Sequence, residues 1–167
     1  EIVDARLTPT YKGKVKVRKE KVNPSASNNF IVKEHETFKP IEVITTPKGK
    51  TVFKLPQNIA GYCSFKVTAK EGDKIKLRFG AIIDKEGEFS QKNIQLIGKN
   101  RITPMQEINY VCKDGVNEYK TKFAIFCYQY IEVTSDCEFK SEDFTAISVY
   151  SDMKQVGFFD SSNELLK

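Results

Sequence analysis

The sequence predicts an all-β fold, an antiparallel β-sandwich of the jelly-roll type, on two observations. Nine short runs rich in Val, Ile, Thr, Tyr and Phe alternate apolar and polar residues, at a spacing of about ten residues. Glycine-containing turn sequences separate several of these runs, at 47–49, 70–73, 84–87 and 113–115. With 167 residues and 40% apolar composition, the chain can bury the core of one such domain.

Most of the predicted strands lie beyond the first quarter of the chain. They are, in order, 41–46, 51–55, 62–69, 74–83, 107–113, 119–126, 129–135, 145–151 and 155–160. The Asp114-Gly115 dipeptide predicts a tight hairpin between two of them. Residues 40–160 are therefore predicted to form the sandwich, and residues 1–39 to form a loosely attached leader of strands and loop.

The leader contains a basic segment. Lys12, Lys14, Lys16 and Arg18 alternate with small or apolar residues, which would place the four cations on one face of a strand. Residues 1–54 hold twelve Lys or Arg against six acids, whereas the whole chain carries a net charge of +5. Two interpretations stay open: a solvated, edge-protecting strand face, or a nucleic-acid-binding surface with few aromatic residues for stacking.

The last residues break the β pattern. Ser161 is a typical helix N-cap, Glu164 completes a capping box three positions later, and two leucines follow. Residues 161–167 therefore predict the start of a helix, which we expect to lead into a further, helical domain.

Residues suited to catalysis or metal binding are sparse. His35 is the only histidine, and its charged surroundings are typical of an exposed loop, so no catalytic residue is predicted. No metal or cofactor is predicted either, because the cysteines lack the spacing of a zinc site. We expect mainly buried free thiols, which favours a reducing, cytoplasmic location, at Cys63, Cys112, Cys127 and Cys137. No run approaches the ~18 apolar residues of a membrane span.

The stretch Pro56-Gln57-Asn58 interrupts two predicted strands. Asn tolerates left-handed backbone and Gly61 permits a bulge or tight bend, so the interruption is predicted to turn one strand into the next. On the alternative hypothesis, these polar side chains contact a sugar. The candidate carbohydrate-binding residues are then Gln57, Asn58, Tyr62 and Gln129.

Five motifs in order resemble the β-sandwich domain of bacterial α-L-rhamnosidases. They lie at 1–6 (E-I-V-D-A-R), 52–62 (V-F-K-L-P-Q-N-I-A-G-Y), 76–89, 123–133 (F-A-I-F-C-Y-Q-Y-I-E-V) and 149–163. The resemblance implies a non-catalytic, concanavalin-like β-sandwich that precedes an (α/α)₆ barrel. In that family the barrel carries the carboxylates that hydrolyse terminal α-L-rhamnosides with inversion. The implied partners are that barrel, in the same chain, and rhamnose-containing glycans.

The chain also departs from the family pattern. Lys54, Pro56 and Ala81 stand where the family has Asp, Gly and Glu, which puts the family's rhamnose specificity in question. Two other functions are therefore kept as alternatives. One is a free-standing carbohydrate-binding module, and the other is a basic nucleic-acid-binding β-domain.

Overall fold

The computed structural model describes residues 1–27, 31–95, 97–98, 101–103 and 105–166. The strands in this part of the chain are β1 (Ile2–Asp4), β2 (Val32–Phe38), β3 (Glu42–Thr45), β4 (Thr51–Ala69), β5 (Lys74–Gly80), β6 (Ile82–Ile83), β7 (Phe89–Ser90), β8 (Ile97–Gly98), β9 (Arg101–Ile102), β10 (Glu107–Val111), β11 (Gly115–Lys120), β12 (Phe126–Ser135) and β13 (Phe144–Ser151). Short 3₁₀ turns lie at Ser141–Asp143 and Glu164–Leu166.

The 19-residue strand β4 is the centre of the sheet. Its first half pairs with β12 on one side and β3 on the other, and its second half pairs with β11 and β13. The outer strands follow in the order β12, β5, β10, β1 from one half and β13, β2 from the other. The single strand β4 therefore belongs to both of the layers that enclose the core.

The predicted all-β sandwich is confirmed, with one exception to its antiparallel pairing. Strand β1 runs parallel to β10, whereas the other described pairs are antiparallel. Aromatic rings fill the space between the layers. The rings of Phe65 on β4 and Tyr110 on β10, which are not paired strands, lie 5.1 Å apart, and Phe79 stacks on Phe126 at 4.2 Å.

The hairpin predicted at Asp114-Gly115 is wrong. Strand β10 pairs with β5 and β1, whereas β11 pairs with β4, so the connection crosses from one layer to the other. Gly115 still has the left-handed backbone that the turn requires, with φ of +83°. Asn117, fully buried, fastens this crossing: its side chain hydrogen-bonds the backbone of Lys113 at 3.0 and 2.8 Å and of Gly115 at 3.0 Å.

Several predicted strands differ from those observed. The runs 51–55 and 62–69 are parts of the single strand β4, and the run 119–126 contains the connection between β11 and β12. No strand forms at 12–18 or 155–160 within the described residues. A strand needs a hydrogen-bonded neighbour, and alternation alone does not supply one.

Both ends of the chain contain secondary structure within the described residues. The leader holds β1 and β2, which pair with β10 and β13, so strand pairing begins before residue 40. At the other end, one 3₁₀ turn forms, and Asn163 rather than Ser161 accepts the hydrogen bond from its Leu165 N–H, at 3.0 Å. Lys167, part of the predicted helix start, lies outside the described residues. Neither 3₁₀ turn described here has the length or apolar character needed to cross a bilayer.

Candidate functional site

A wide bulge in β4 contains two of the four candidate site residues. Tyr128 of β12 lies opposite Ile59, but Tyr130 lies opposite Lys54, so Gln129 alone faces residues 55–58. Pro56 has no N–H to donate to the ladder, which favours a bulge at this position. The Gln129 amide nitrogen donates to the Leu55 carbonyl at 3.3 Å and so closes the bulge. The interruption read from the sequence is thus a bulge within one continuous strand.

Gln57 and Asn58 are exposed at this bulge. The Asn58 amide nitrogen is 3.9 Å from the Cys127 sulfur, a long and weak contact. Cys127 is itself exposed, contrary to the prediction of a buried thiol, because it lies on the outer face opposite Ala60. The bulge therefore presents two amide groups to solvent.

Tyr62 follows on β4, and its polar atom already has a protein partner. Its hydroxyl donates to the Glu34 carboxylate, and the Lys120 ammonium lies 2.5 Å from the same oxygen and 5.8 Å from the Tyr62 ring centre. Hydrogen bonds from Lys120 and then Tyr62 lower the pKa of Glu34. Partial burial and the Glu34 contact raise the pKa of Tyr62 to about 12. Tyr62 is therefore a neutral donor engaged within the protein.

Gly61 lies where β4 meets strands on both sides, opposite Phe126 of β12 and Ser148 of β13. A Cβ built at position 61 would overlap the carbonyl oxygen of Ile147. The φ of Gly61 is not positive. The requirement for glycine at this position therefore comes from the close approach of two backbones and not from a left-handed backbone conformation.

A second polar cluster, at the β2–β13 edge, was not predicted. The Glu36 carboxylate accepts hydrogen bonds from the hydroxyls of Ser148 at 2.5 Å and Tyr150 at 2.7 Å, which lower its pKa. His35 lies in β2, not in a loop, and its ring stacks on Tyr150 at 3.6 Å. Residues 33–37 are all polar and therefore lack the apolar alternation that would have predicted this edge strand.

These groups can hold a polar ligand, but they are poorly suited to acid–base chemistry. Glu34 and Glu36 are stabilised as carboxylates, whereas a general acid needs a raised pKa. Within the described residues, no three His, Cys, Asp or Glu side chains are arranged to hold a metal ion. The predicted residues thus divide into a bulge with solvent-facing amides and a neighbouring tyrosine that is hydrogen-bonded to the Glu34–Lys120 ion pair.

Comparison with known proteins identifies a family and several relatives. The family model for the bacterial α-L-rhamnosidase concanavalin-like domain matches residues 44–150. An α-L-rhamnosidase of Formosa agariphila is 27% identical over 142 residues, which are 80% of this chain and 15% of that protein. The structure of α-L-rhamnosidase from Dictyoglumus thermophilum superposes with a TM-score of 0.71 at 26% identity, over 83% of this chain and 15% of that one. The α-L-rhamnosidase of Aspergillus terreus gives a TM-score of 0.68 at 25% identity, over 82% of this chain and 15% of that one.

Proposed function

The chain belongs to the family of bacterial α-L-rhamnosidase concanavalin-like domains, and we propose that it is a non-catalytic domain of a longer α-L-rhamnosidase. The observation that carries the proposal is the match over residues 44–150, which contains most of the sheet. The chain spans about 15% of the length of the first relatives, which leaves most of each relative outside the matched region.

Glycoside chemistry supports the same proposal. Hydrolysis requires two carboxyl groups about 5 to 9.5 Å apart across the glycosidic bond, one of them protonated as the general acid. Glu34, which contacts Tyr62, and Glu36, at the β2–β13 edge, are instead held as anions by hydroxyl and ammonium donors. We infer that the reacting carboxylates belong to another part of the longer protein.

The same proposal names a partner, the catalytic (α/α)₆ barrel of the longer chain. Apolar side chains exposed on the segment after β13 support it, because a stretch of this kind is usually covered in a functional protein. They are Met153, Val156, Phe158, Phe159, Leu165 and Leu166. Hydrolysis with inversion, and rhamnose-containing glycans as ligands, are proposals for that longer protein.

The test is the hydrolysis of an aryl α-L-rhamnoside by the purified chain. We expect the wild-type chain, the Glu34→Gln, Glu36→Gln double variant and buffer alone to give the same rate of hydrolysis. Turnover above that control would overturn the non-catalytic assignment.

A second candidate function is carbohydrate binding, favoured by the exposed amides of Gln57 and Asn58 at the bulge. Amide groups hydrogen-bond sugar hydroxyls well when they are rigidly held. Calorimetric titration with L-rhamnose and a rhamnoside disaccharide tests it, with Gln57→Ala and Asn58→Ala as variants. Saturable heat that both variants weaken would establish a binding module, and no heat from folded protein would exclude one for these sugars.

A further inference from the structure

One basic segment carries the whole net charge of the chain. Residues 12–21 read K-G-K-V-K-V-R-K-E-K and hold five lysines, one arginine and one glutamate. The chain has 27 Lys and Arg against 22 Asp and Glu, so taking away the six bases and one acid of the segment leaves 21 of each sign. The rest of the chain is therefore neutral, and its net charge of +5 is confined to ten residues.

The segment lies in a long connection between β1 and β2, the strands at the two ends of the strand order. Residues 7–27 form neither helix nor strand, and every residue from 6 to 27 is exposed. Connections of this length without secondary structure are typical of binding loops or linkers. The match to the family model begins at residue 44, so the segment is not part of the matched domain.

The cations of this segment are largely unpaired. Arg18 lies 3.5 Å from Glu20, and both side chains are mostly exposed. Within the described residues, the five lysines of the segment form no ion pair. Cations at this density attract counterions, and a polyanion that displaces them gains free energy from their release.

We propose that residues 12–21 bind an anionic polysaccharide, one that carries carboxylate or sulfate groups at intervals along its chain. In an extended segment Lys12 and Lys16 lie about 13 Å apart, too far for one such group to contact both. A polymer that presents several anions in series fits this spacing better than a small anion does. The choice of a polysaccharide rests on the proposed function, a domain of a longer protein that acts on rhamnose-containing glycans.

Two other polyanions fit the segment less well. Nucleic acids favour arginine, which binds phosphate through paired hydrogen bonds, and aromatic rings for stacking, but the segment has one arginine and only Tyr11 beside it. Helices that bind in a membrane interface use bulky apolar anchors such as Trp, Phe or Leu, whereas the interleaved residues here are Gly13, Val15 and Val17. Lysine ammonium groups, with their rotatable donors, suit anions on a flexible sugar chain.

The test is binding of the 167-residue chain to polygalacturonate, which carries carboxylates, and to dextran sulfate, with neutral dextran as the blank. The segment variant removes three cations that lie outside the sheet: Lys12→Gln, Lys14→Gln and Lys16→Gln. The control variant removes the same charge from exposed lysines elsewhere: Lys50→Gln, Lys85→Gln and Lys92→Gln.

We expect the wild-type chain to bind one or both anionic polymers and not neutral dextran, and the tighter of the two assigns the anion. A fourfold rise in salt should lower the affinity on the order of 10²-fold, because several counterions are released for each bound chain. At ~50 mM salt the segment variant should bind at least tenfold more weakly, with a salt dependence smaller by about two to three counterions. The control variant should lose less than about threefold.

Three results would overturn the proposal. They are no binding by folded wild-type chain, equal losses for the two variants, and tighter binding to duplex DNA or to phosphatidylserine vesicles than to either polysaccharide. If the segment variant does not fold, the wild-type salt dependence decides, since a loss below about tenfold over the fourfold rise contradicts binding by several cations. Hydrolysis of a rhamnoside by the chain would overturn the proposed function without changing these binding results, so the two failures are distinguishable.

Discussion

Gly61 on β4 lies against the backbone of Ile147 on β13 so closely that a Cβ at position 61 would overlap the Ile147 carbonyl oxygen. At this same position β4 also pairs with β12, so the close approach occurs where the strand passes from one layer of the sandwich to the other. Only glycine, whose side chain is a single hydrogen atom, therefore fits at the point where β4 passes between the layers.

Gly61→Ala is expected to lower the free energy of unfolding by about 3 kcal/mol, because the backbones of two strands must separate to accept the methyl group. Denaturant unfolding followed by circular dichroism measures this. The control is Gly157→Ala, since a Cβ there meets no atom within 4 Å. Equal stabilities for the two variants would contradict the close-approach interpretation.

Asn117→Ala is expected to cost about 2 to 3 kcal/mol, because it removes a buried side chain and leaves partly buried backbone groups of Lys113 and Gly115 without that partner. The same unfolding experiment applies. Asn58→Ala, at an exposed amide on the bulge, should change stability by less than about 0.5 kcal/mol and serves as the control. If Asn117→Ala lowers the free energy of unfolding as little as Asn58→Ala does, Asn117 does not stabilise the connection between the two layers.

Glu1 anchors the start of the chain to the connection between β11 and β12. Its carboxylate accepts hydrogen bonds from the Tyr119 hydroxyl and from backbone N–H groups, including Phe123 at 2.5 Å and Ala124 at 2.8 Å. Partial burial raises its pKa, but these hydrogen bonds outweigh burial and lower it below 4.5. Its stabilising effect is therefore present above the unfolded-state value and is lost as the pH falls through the lowered pKa.

Glu1→Gln is expected to reduce stability at neutral pH by roughly 1 kcal/mol and to flatten the fall in stability at acid pH. Thermal unfolding at a series of pH values, with Glu71→Gln at an exposed turn as control, measures both effects. A variant curve parallel to the wild-type curve throughout the acid range would show that Glu1 does not titrate as a bound carboxylate.

Arg78 and Glu132 form a partly buried ion pair across β5 and β12, with Arg78 Nη1 2.7 Å from Glu132 Oε1. Glu132→Gln should cost about 1 to 3 kcal/mol, since it leaves the guanidinium without its anion. The exposed pair Arg18 and Glu20 provides the control, and Glu20→Gln should cost less than about 0.5 kcal/mol. If the two glutamate variants lose the same amount of stability, partial burial does not strengthen the Arg78–Glu132 ion pair.

The fold class and most strand positions could be predicted because period-two alternation follows directly from burial of one strand face. The continuity of β4 could not, because Pro56 ends a local pattern whereas the bulge is maintained by a distant residue, Gln129. The Asp114-Gly115 turn has the same local chemistry in a hairpin and in a layer crossing. Which one forms depends on long-range pairing.

The candidate site was predictable only in part. Exposure of Gln57 and Asn58 agrees with their polar character, but the ion pair that covers Tyr62 comes from Glu34 and Lys120, which are remote in sequence. Sugar binding stays a prediction for the four candidate residues, Gln57, Asn58, Tyr62 and Gln129.

A single-turnover assay, with the chain in large excess over an activated aryl α-L-rhamnoside, tests whether this domain is catalytic, because it detects even one catalytic event per molecule. We predict no release of the aryl group beyond that seen with buffer. Release in proportion to the protein concentration, and lost in the Glu34→Gln, Glu36→Gln double variant, would contradict it and place a catalytic site on this domain.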